Sequence, residues 1–141
     1  MYCNAEDLRI VKFAEEICDG LWYEVNTWDW LAKKIVGIQL VKAADSIGAN
    51  ISEGQGRHHK FDNIRFIYIS RGSLEETFFW LRRAKKRSLL NQIQFEKYSE
   101  KLNDLRPQLN AFIKAKLYKE KNLSISQSYH HSIQRGGERN V

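Results

Sequence analysis

The sequence predicts an all-α protein, an antiparallel up-down-up-down four-helix bundle with a flexible C-terminal tail. Its 141 residues include one proline and eight glycines, too few turn-forming residues for many short strands. Apolar residues recur every three to four positions over four long segments, which is the period of amphipathic helices. Short connections between long helices favour neighbours that run in opposite directions. We therefore assign residues 1–121 to the bundle and residues 122–141 to a polar, disordered tail.

The first helix is predicted over residues 7–25, with Asn4 as a candidate N-cap. Gly20 lies inside it and weakens the helix by about 1 kcal/mol relative to alanine. A broad apolar stripe predicts the helix and consists of Leu8, Val11, Phe13, Ala14, Ile17, Cys18, Leu21, Trp22 and Val25.

The second helix is predicted over residues 30–53, and Asp29 or Thr27 is suited to cap its start. We expect Gly54 to end it, because glycine adopts the left-handed cap conformation without steric cost. Four apolar positions form its core-facing stripe: Leu40, Ala44, Ile47 and Ile51.

The third helix is predicted over residues 62–87 and is apolar on more than one side. Its main stripe consists of Ile64, Ile67, Tyr68, Leu74, Phe78, Leu81 and Ala84. A second flank carries Phe66, Ile69, Phe79 and Trp80. A monomeric bundle does not need to bury both sides of one helix, so the second flank predicts an oligomer interface.

The fourth helix is predicted over residues 92–119 and has the most regular pattern in the chain. Phe95, Tyr98, Leu102, Leu105, Leu109 and Phe112 alternate by three and four positions. Pro107 lies within it and lacks a backbone donor, so we expect a kink or a break near residues 103–106.

Charge is distributed unevenly along the chain, whose net charge is +6. Residues 1–30 carry seven acids and two bases, a net charge of −5, which leaves the remaining residues at +11. Such asymmetry is typical of proteins that bind a polyanion. The alternative is that acidic and basic helices of one bundle neutralise each other.

The N-terminal residues 1–7 lack an apolar signal core, and no run of 18 apolar residues is present. We therefore expect a cytoplasmic protein without a membrane span. Cys3 and Cys18 do not form a CxxC pair, which favours two reduced thiols over a metal site.

A regular polar row occupies the second helix and its end. Ser46, Asn50, Glu53 and Arg57 lie at i, i+4, i+7 and i+11. Arg71 interrupts the apolar stripe of the third helix and requires a carboxylate or several acceptors if buried. We expect Ser46, Asn50, Glu53 and Arg71 to form a structural polar network, with Glu53 or a glutamate of a neighbouring subunit pairing with Arg71. The alternative is that Arg71 extends along the stripe to water.

These residues resemble a known family. The pattern S-I-x-x-N-I-x-E-G-x-G-R at residues 46–57, followed by F-x-x-I-x-x-G-S-L-x-E at 66–76, is similar to proteins encoded in intervening sequences of bacterial large-subunit ribosomal RNA genes. The same family includes accessory variability proteins of diversity-generating retroelements. The resemblance extends over about residues 7–118 and departs from the common pattern at Gly48, Ser52 and Thr77.

The resemblance implies a small up-down bundle that assembles into a cyclic homopentamer. It also implies a role in binding nucleic acid through basic surfaces, with a reverse transcriptase as partner in retroelements. No enzymatic activity and no cofactor are attached to the family. A pentamer would account for the second apolar flank of the third helix.

Candidate nucleic-acid-binding residues are concentrated at the end of the third helix: Arg82, Arg83, Lys85, Lys86 and Arg87. In an antiparallel bundle Lys33 and Lys34 lie at the same end, whereas Arg57 and Lys60 lie at the other, with His58, His59, Lys114, Lys116, Lys119 and Lys121. Cations also favour a helix C-terminus, so the alternative is a solvated face that complements the helix dipole.

Catalytic patterns are not evident in the sequence. The adjacent pairs His58-His59 and His130-His131 point to different helix faces and do not make a metal site. Trp22, Trp28, Trp30 and Trp80 are expected in the core or an interface rather than in a ligand cage. We therefore predict a non-enzymatic homo-oligomer that binds nucleic acid, with RNA as the first candidate, and that could act as an accessory to a reverse transcriptase. The alternative is a protein–protein adaptor or scaffold that binds no nucleic acid.

Overall fold

A computed structural model describes residues 5–57 and 59–136, and over these residues the chain is all-helical. The first helix, α1, spans Ala5–Asn26, within two residues of its predicted ends. The second, α2, is continuous but contains a π-helical turn, so that its segments are Trp30–Ala32, Lys33–Gly37 and Ile38–Gln55. The third, α3, spans Lys60–Lys86, and the fourth, α4, spans Gln92–Gly136.

The start of α2 is fixed by Asp29, as its sequence position predicts. Asp29 has an extended backbone, and its Oδ1 accepts a hydrogen bond of 2.9 Å from the Ala32 backbone N–H. Thr27 instead donates its hydroxyl to the Glu24 carbonyl, 2.7 Å away, at the end of α1. The shared function of the two residues is to satisfy backbone groups at the two helix ends.

The π turn in α2 was not predicted. Within it the Ile38 N–H bonds to the Lys33 carbonyl, five residues back. The turn packs Gly37 against α1, where a Cβ atom on Gly37 would lie only 2.5 Å from Val25 Cγ1. It buries Val36 and leaves Ile35 and Ile38 each 51% exposed. The extra residue per turn thus moves two isoleucines out of the core.

Gly54 does not end α2 in a left-handed conformation, so that prediction is wrong. The helix continues to Gln55, the cap residue Gly56 has a φ of −76°, and no glycine of the described residues has a positive φ. Gly54 is buried, and a Cβ there would lie 2.9 Å from Phe66 Cβ and 3.2 Å from the Asn63 carbonyl oxygen. The residue is glycine because α3 approaches closely.

The link from α3 to α4 contains a left-handed residue that is not glycine. Ser88 has a φ of 60°, and the following Leu89 N–H bonds to the Ala84 carbonyl at 2.9 Å, which closes the last turn of α3. Asn91 and Gln94 then cap α4 reciprocally, each side chain accepting from the other's backbone N–H, at 2.8 and 2.9 Å.

The fourth helix runs through Pro107 without a break and continues past the predicted end at residue 119. Buried Leu105, Leu109 and Phe112 on either side of the proline hold the helix against the core despite the lost donor. No proline or glycine interrupts residues 120–135. Where a disordered tail was expected, the chain is therefore helical to Gly136, and residues 137–141 lie outside the described part.

The helices surround one apolar core. The first helix packs on α2 and α4, and α3 packs on the same two neighbours. All the predicted core residues of α4 are buried except Phe95, which is half-buried, and the stripe of α2 is buried in full. In α1 the predicted stripe is too broad, because Leu8 and Trp22 are 47% and 56% exposed. Among the described residues no helix has the length and hydropathy needed to cross a membrane.

Candidate nucleic-acid interface

The basic cluster, Arg82, Arg83, Lys85, Lys86 and Arg87, occupies the last turn of α3 and its cap. Arg82, Lys86 and Arg87 are exposed, while Arg83 and Lys85 are half-buried. None of the five forms an ion pair with a carboxylate of the described residues. The Arg87 N–H closes the helix on the Arg83 carbonyl at 3.0 Å. The cluster therefore presents cations that the rest of the described chain does not neutralise.

Lys33 and Lys34 belong to the π turn of α2, and this turn contacts α3. Lys33 is half-buried and Lys34 is exposed. The Lys34 ammonium lies 4.8 Å from the centroid of the Trp30 ring, a cation–π distance. Trp30 is 70% exposed and so lies outside the core of the single chain, while its place in an interface stays a prediction. Trp28 does lie in the core, at 8% exposure.

The other predicted cations are engaged differently. Arg57 is bound to Glu53 at 2.7 Å and lies 5.1 Å from the Phe66 ring centroid. Lys116 lies 3.9 Å from the buried Asp7 carboxylate. Lys60 begins α3, but its side chain, like the whole of His58, lies outside the described residues. Arg57 and Lys116 thus have carboxylate partners, which the basic cluster lacks within the described chain.

The predicted pairing of Glu53 with Arg71 is wrong within this chain. Glu53 is taken by Arg57, and Arg71 NH1 instead donates to Asn110 Oδ1 of α4 at 3.3 Å. Ser46 and Asn50 donate to carbonyls of their own helix, Lys42 and Ser46, both at 2.7 Å. A row spaced by four can bond back along its own helix, so it needs no partner on α3. A glutamate from a neighbouring subunit stays a prediction.

A different polar contact joins α2 to α3. Ser70 is fully buried, and its hydroxyl donates to the Ile47 carbonyl at 2.7 Å. This bond satisfies a buried hydroxyl and fixes the two helices at this level. The sequence did not identify the Ile47 carbonyl as the partner of Ser70, because a serine among apolar residues gives no signal of its partner.

A shallow cavity of about 350 Å³ lies between α3 and α4 and is lined in part by Arg71 of α3 and Arg106 of α4. Arg106 binds the Glu75 carboxylate with two bonds, of 2.6 and 3.2 Å, and its guanidinium lies 4.7 Å from the Phe78 ring centroid. Arg71 lies 5.0 Å from the Tyr68 ring centroid. The bidentate pair is the strongest ion-pair geometry on this surface.

The predicted interface flank of α3 is partly exposed. Ile69 and Phe79 are 41% and 46% exposed, whereas Phe66 and Trp80 are half-buried. Phe79 and Trp80 pack edge to face with centroids 5.0 Å apart. A Cβ on Gly72, between Ile69 and Phe79, would meet no atom within 4 Å. The flank thus presents the exposed apolar side chains of Ile69 and Phe79, and beside them the Trp80 Nε1–H donates to the Glu76 carboxylate at 3.4 Å.

A second apolar surface was not predicted. A groove of about 390 Å³ lies between α1 and α2, and Trp22, Ile38 and Val41 contribute to its lining. Trp22 and Ile38 are both more than half exposed. The apolar part of the lining comes from Trp22 and Val25 of α1 and from Ile38 and Val41 of α2. A contact between two helices has no signature in the local sequence.

Two groups, the partly buried Cys18 thiol and the buried Tyr98 hydroxyl, have altered proton affinities. Burial, together with the nearby Asp45 and Asp19 carboxylates, raises the pKa of the Cys18 thiol to about 12. Burial and the adjacent Glu24 carboxylate raise the pKa of Tyr98 above its usual range. Both groups stay protonated near neutral pH, so neither has the ionised form that a nucleophile requires.

Fold and surface together define a four-helix-bundle protein with a basic end. The family model described as 23S rRNA-intervening sequence protein matches residues 6–111. The chain belongs to this family.

One solved structure similar to the chain is a protein of unknown function from the S23 ribosomal protein family of Bacteroides thetaiotaomicron, determined at 1.70 Å resolution. The two are 22% identical, and the match covers 77% of this chain and 98% of that chain with a TM-score of 0.67. This likeness shows a shared fold. No curated protein matches the chain.

Proposed function

We propose that this protein is a non-enzymatic homo-oligomer, a pentamer, that binds nucleic acid through the basic end of α3. The observation that carries the proposal is the basic cluster of five cations without carboxylate partners among the described residues. Neutralising phosphates with such side chains releases counterions from the nucleic acid, which supplies most of the affinity of sequence-independent binding. RNA is the first candidate because the family's name refers to 23S rRNA.

The direction of the helices adds two lysines to this end. Ile47 contacts Ser70, and Gly54 approaches Asn63, so residues later in α2 lie beside residues earlier in α3. By the same antiparallel pairing, the start of α2 lies beside the end of α3, so Lys33 is at about the level of residue 84. Contacts between α1 and α4 support the up-down-up-down course as well. Glu24, late in α1, bonds to Gln94, early in α4, and Asp7, early in α1, pairs with Lys116, later in α4.

Assembly multiplies the basic end. The exposed Ile69 and Phe79 support self-association through α3, because an exposed apolar flank is covered when copies pack together. Each added copy contributes another basic cluster. Phosphate neutralisation grows with the number of contacts, so a ring would bind far more tightly than one copy.

The test is a filter-binding titration with RNA at increasing salt concentrations. The wild-type chain is expected to lose affinity steeply as salt rises, and a variant with Arg82→Glu, Arg83→Glu, Lys85→Glu and Lys86→Glu is expected not to bind.

The matched control replaces four exposed cations that lie outside the basic cluster, and its net charge equals that of the first variant. Its substitutions are Arg65→Glu, Lys114→Glu, Lys119→Glu and Lys121→Glu. Equal loss in both variants would mean that only total charge matters. This result would remove the assignment to the end of α3.

A protein–protein adaptor, including a docking module for a reverse transcriptase, is the second candidate. The apolar groove between α1 and α2 favours it, since exposed Trp22 and Ile38 are suited to a partner's apolar side chain. Wild-type protein that binds no RNA even at low salt would favour this candidate.

A further inference from the structure

Trp30 is exposed although the bundle buries the tryptophan next to it. Trp28 is 8% exposed and packs in the core, whereas Trp30, two residues later, is 70% exposed. Leu31 and Ile35 on the same part of α2 are 61% and 51% exposed. Burying an indole is among the largest apolar gains that a side chain offers. This indole is left in water instead, together with its apolar neighbours.

The ring of Trp30 is paired with a cation. Lys34 lies four residues later, one helical turn away, and its Nζ is 4.8 Å from the ring centroid. Asp29, the nearest acid along the chain, already accepts a backbone hydrogen bond as the helix cap. Exposed aromatic rings next to cations are the elements with which proteins hold single strands. The bases stack on the rings and the phosphates meet the cations.

The ring also lies at the basic end. The π turn that follows Trp30 contacts α3. Because α2 and α3 run in opposite directions and Ile47 lies beside Ser70, residues near the start of α2 lie at the level of the last turn of α3. The aromatic ring, Lys34 and the basic cluster therefore lie at the same end of the bundle. A strand that follows the basic cluster reaches Trp30 without leaving this end of the molecule.

We infer that Trp30 is a stacking platform for an unpaired base, and that the nucleic acid bound here is single-stranded at that position. This inference rests on the proposed function and adds the class of ligand. In a duplex each base is covered on both faces by its neighbours, so an indole finds a free face only at a loop, a bulge or an open strand. The cations alone do not make this distinction, because both forms carry phosphates.

The experiment measures fluorescence anisotropy of the full chain with two labelled probes. One is an unstructured single-stranded RNA of about 20 nucleotides, long enough for a typical single-strand site, and the other is a duplex of the same sequence. Trp30→Ala is expected to weaken single-strand binding about tenfold, the loss typical of one stacked base, and to change duplex binding by less than about twofold.

Two further variants serve as controls. Trp30→Phe keeps an aromatic ring and is expected to retain most of the single-strand affinity. Trp22→Ala removes an indole that is 56% exposed on α1 and is expected to change neither affinity. The salt dependence adds a second readout. Trp30→Ala should lower the affinity at every salt concentration without changing the slope, because stacking releases no counterions.

The outcomes separate this inference from the proposed function. If Trp30→Ala binds the single strand as wild type does, while the fourfold glutamate variant does not bind, the stacking platform is wrong and the basic interface stands. Equal weakening for both probes, or equal loss in Trp22→Ala, also overturns the stacking platform. If the wild-type chain binds neither probe, the proposed function fails and this inference fails with it.

Discussion

At the scale of single residues, close contacts explain several choices that composition does not. Gly54 lies where the backbone of α3 passes, and a Cβ there would approach Phe66 Cβ to 2.9 Å. A Cβ on Gly56, two residues later, would make only ordinary van der Waals contacts, the nearest with the Glu53 carbonyl oxygen at 3.4 Å, and the Gly56 φ of −76° suits any residue. The two glycines of one motif therefore have different reasons to be glycine.

This difference is testable with alanine. Gly54→Ala is expected to lower the free energy of unfolding by about 1–3 kcal/mol, because overpacking forces two helices apart. Gly56→Ala, the matched control, is expected to leave stability unchanged or raise it by up to about 1 kcal/mol. Urea unfolding followed by circular dichroism measures both. Equal stability of the two variants would refute the close-approach argument.

The raised pKa of the Cys18 thiol predicts that the stability of the fold depends on pH in the alkaline range. The pKa of this thiol is raised to about 12, and its Sγ donates to the Glu15 carbonyl at 3.3 Å. The folded state holds this proton more tightly than the unfolded state, whose thiol pKa is near 9. The resulting stabilisation is complete below pH 9 and is lost as pH rises from about 9 to 12.

The reactivity of Cys18 with a thiol reagent measures this shift. In a Cys3→Ser variant at pH 8, the folded protein is expected to react at least about tenfold more slowly than the protein in urea, because little thiolate is present. The rate in the folded state should still be rising at pH 10. A folded thiol that reacts as fast as the unfolded one would contradict the raised pKa.

At the scale of the helices, the ends were predictable where side chains cap them. Asp29 before α2 and Asn91 before α4 are polar residues that bond the first free N–H groups, so both starts agree with the sequence. The π turn at Lys33–Gly37 was not predictable, because the packing of Gly37 on Val25 selects it. Local sequence carries little information about a contact between residues of different helices.

Some features of the candidate site were likewise predictable from local sequence, and others were not. Sequence clustering was enough to find the basic cluster, since five of six neighbouring residues are cations. The partner of Arg71 was not predictable, because Asn110 is 39 positions away on α4. The exposure of Trp30 was not predictable either, since Trp28, only two residues earlier, is buried in the core.

The end of α3 contains a position that glycine would fit better. Ser88 has a φ of 60°, a conformation that costs a residue with a Cβ roughly 1 kcal/mol. Ser88→Gly is therefore expected to raise the free energy of unfolding by about 0.5–1 kcal/mol, and Ser88→Ala to lower or preserve it. Thermal unfolding of the three proteins measures the order. A glycine variant less stable than the alanine variant would contradict it.

The last part of α4 is helical without packing. Every side chain from residue 124 to residue 133 is exposed, and Ser124, Ser126 and Ser128 donate to carbonyls of their own helix. Removing residues 125–141 is expected to change the unfolding free energy of the bundle by less than about 0.5 kcal/mol, since the described side chains of this segment, residues 125–133, are all exposed. Urea unfolding checks this. A markedly lower stability would mean that the extension supports the bundle.

At the scale of the whole molecule, the proposed function links the apolar flank of α3 to the basic end of α3, because nucleic-acid affinity depends on assembly through the flank. In the proposed pentamer, assembly would cover the flank and bring several basic clusters together. Replacing Ile69 and Phe79 by glutamine removes apolar surface from the flank without changing charge. Both side chains are more than 40% exposed, so the fold of one copy is expected to tolerate the change.

Light scattering measures the assembly. The wild-type chain is expected near five times 16.6 kDa, about 83 kDa, and the variant with Ile69→Gln and Phe79→Gln at a lower mass. A control with Trp22→Gln alters the other apolar surface and is expected to keep the wild-type mass. Loss of assembly in the control alone would move the interface to the groove between α1 and α2.

The slope of RNA affinity against salt, measured for the wild-type chain and the Ile69→Gln, Phe79→Gln variant, tests whether assembly brings the basic ends together on one RNA. The logarithm of the binding constant falls by about 0.7 per phosphate neutralised on a single strand for each tenfold rise in salt. We expect a steep slope for the assembled wild type and a shallower slope, with weaker binding, for the variant. Equal slopes would contradict the pooling of basic ends, and no binding by the wild-type chain would contradict the nucleic-acid interface itself.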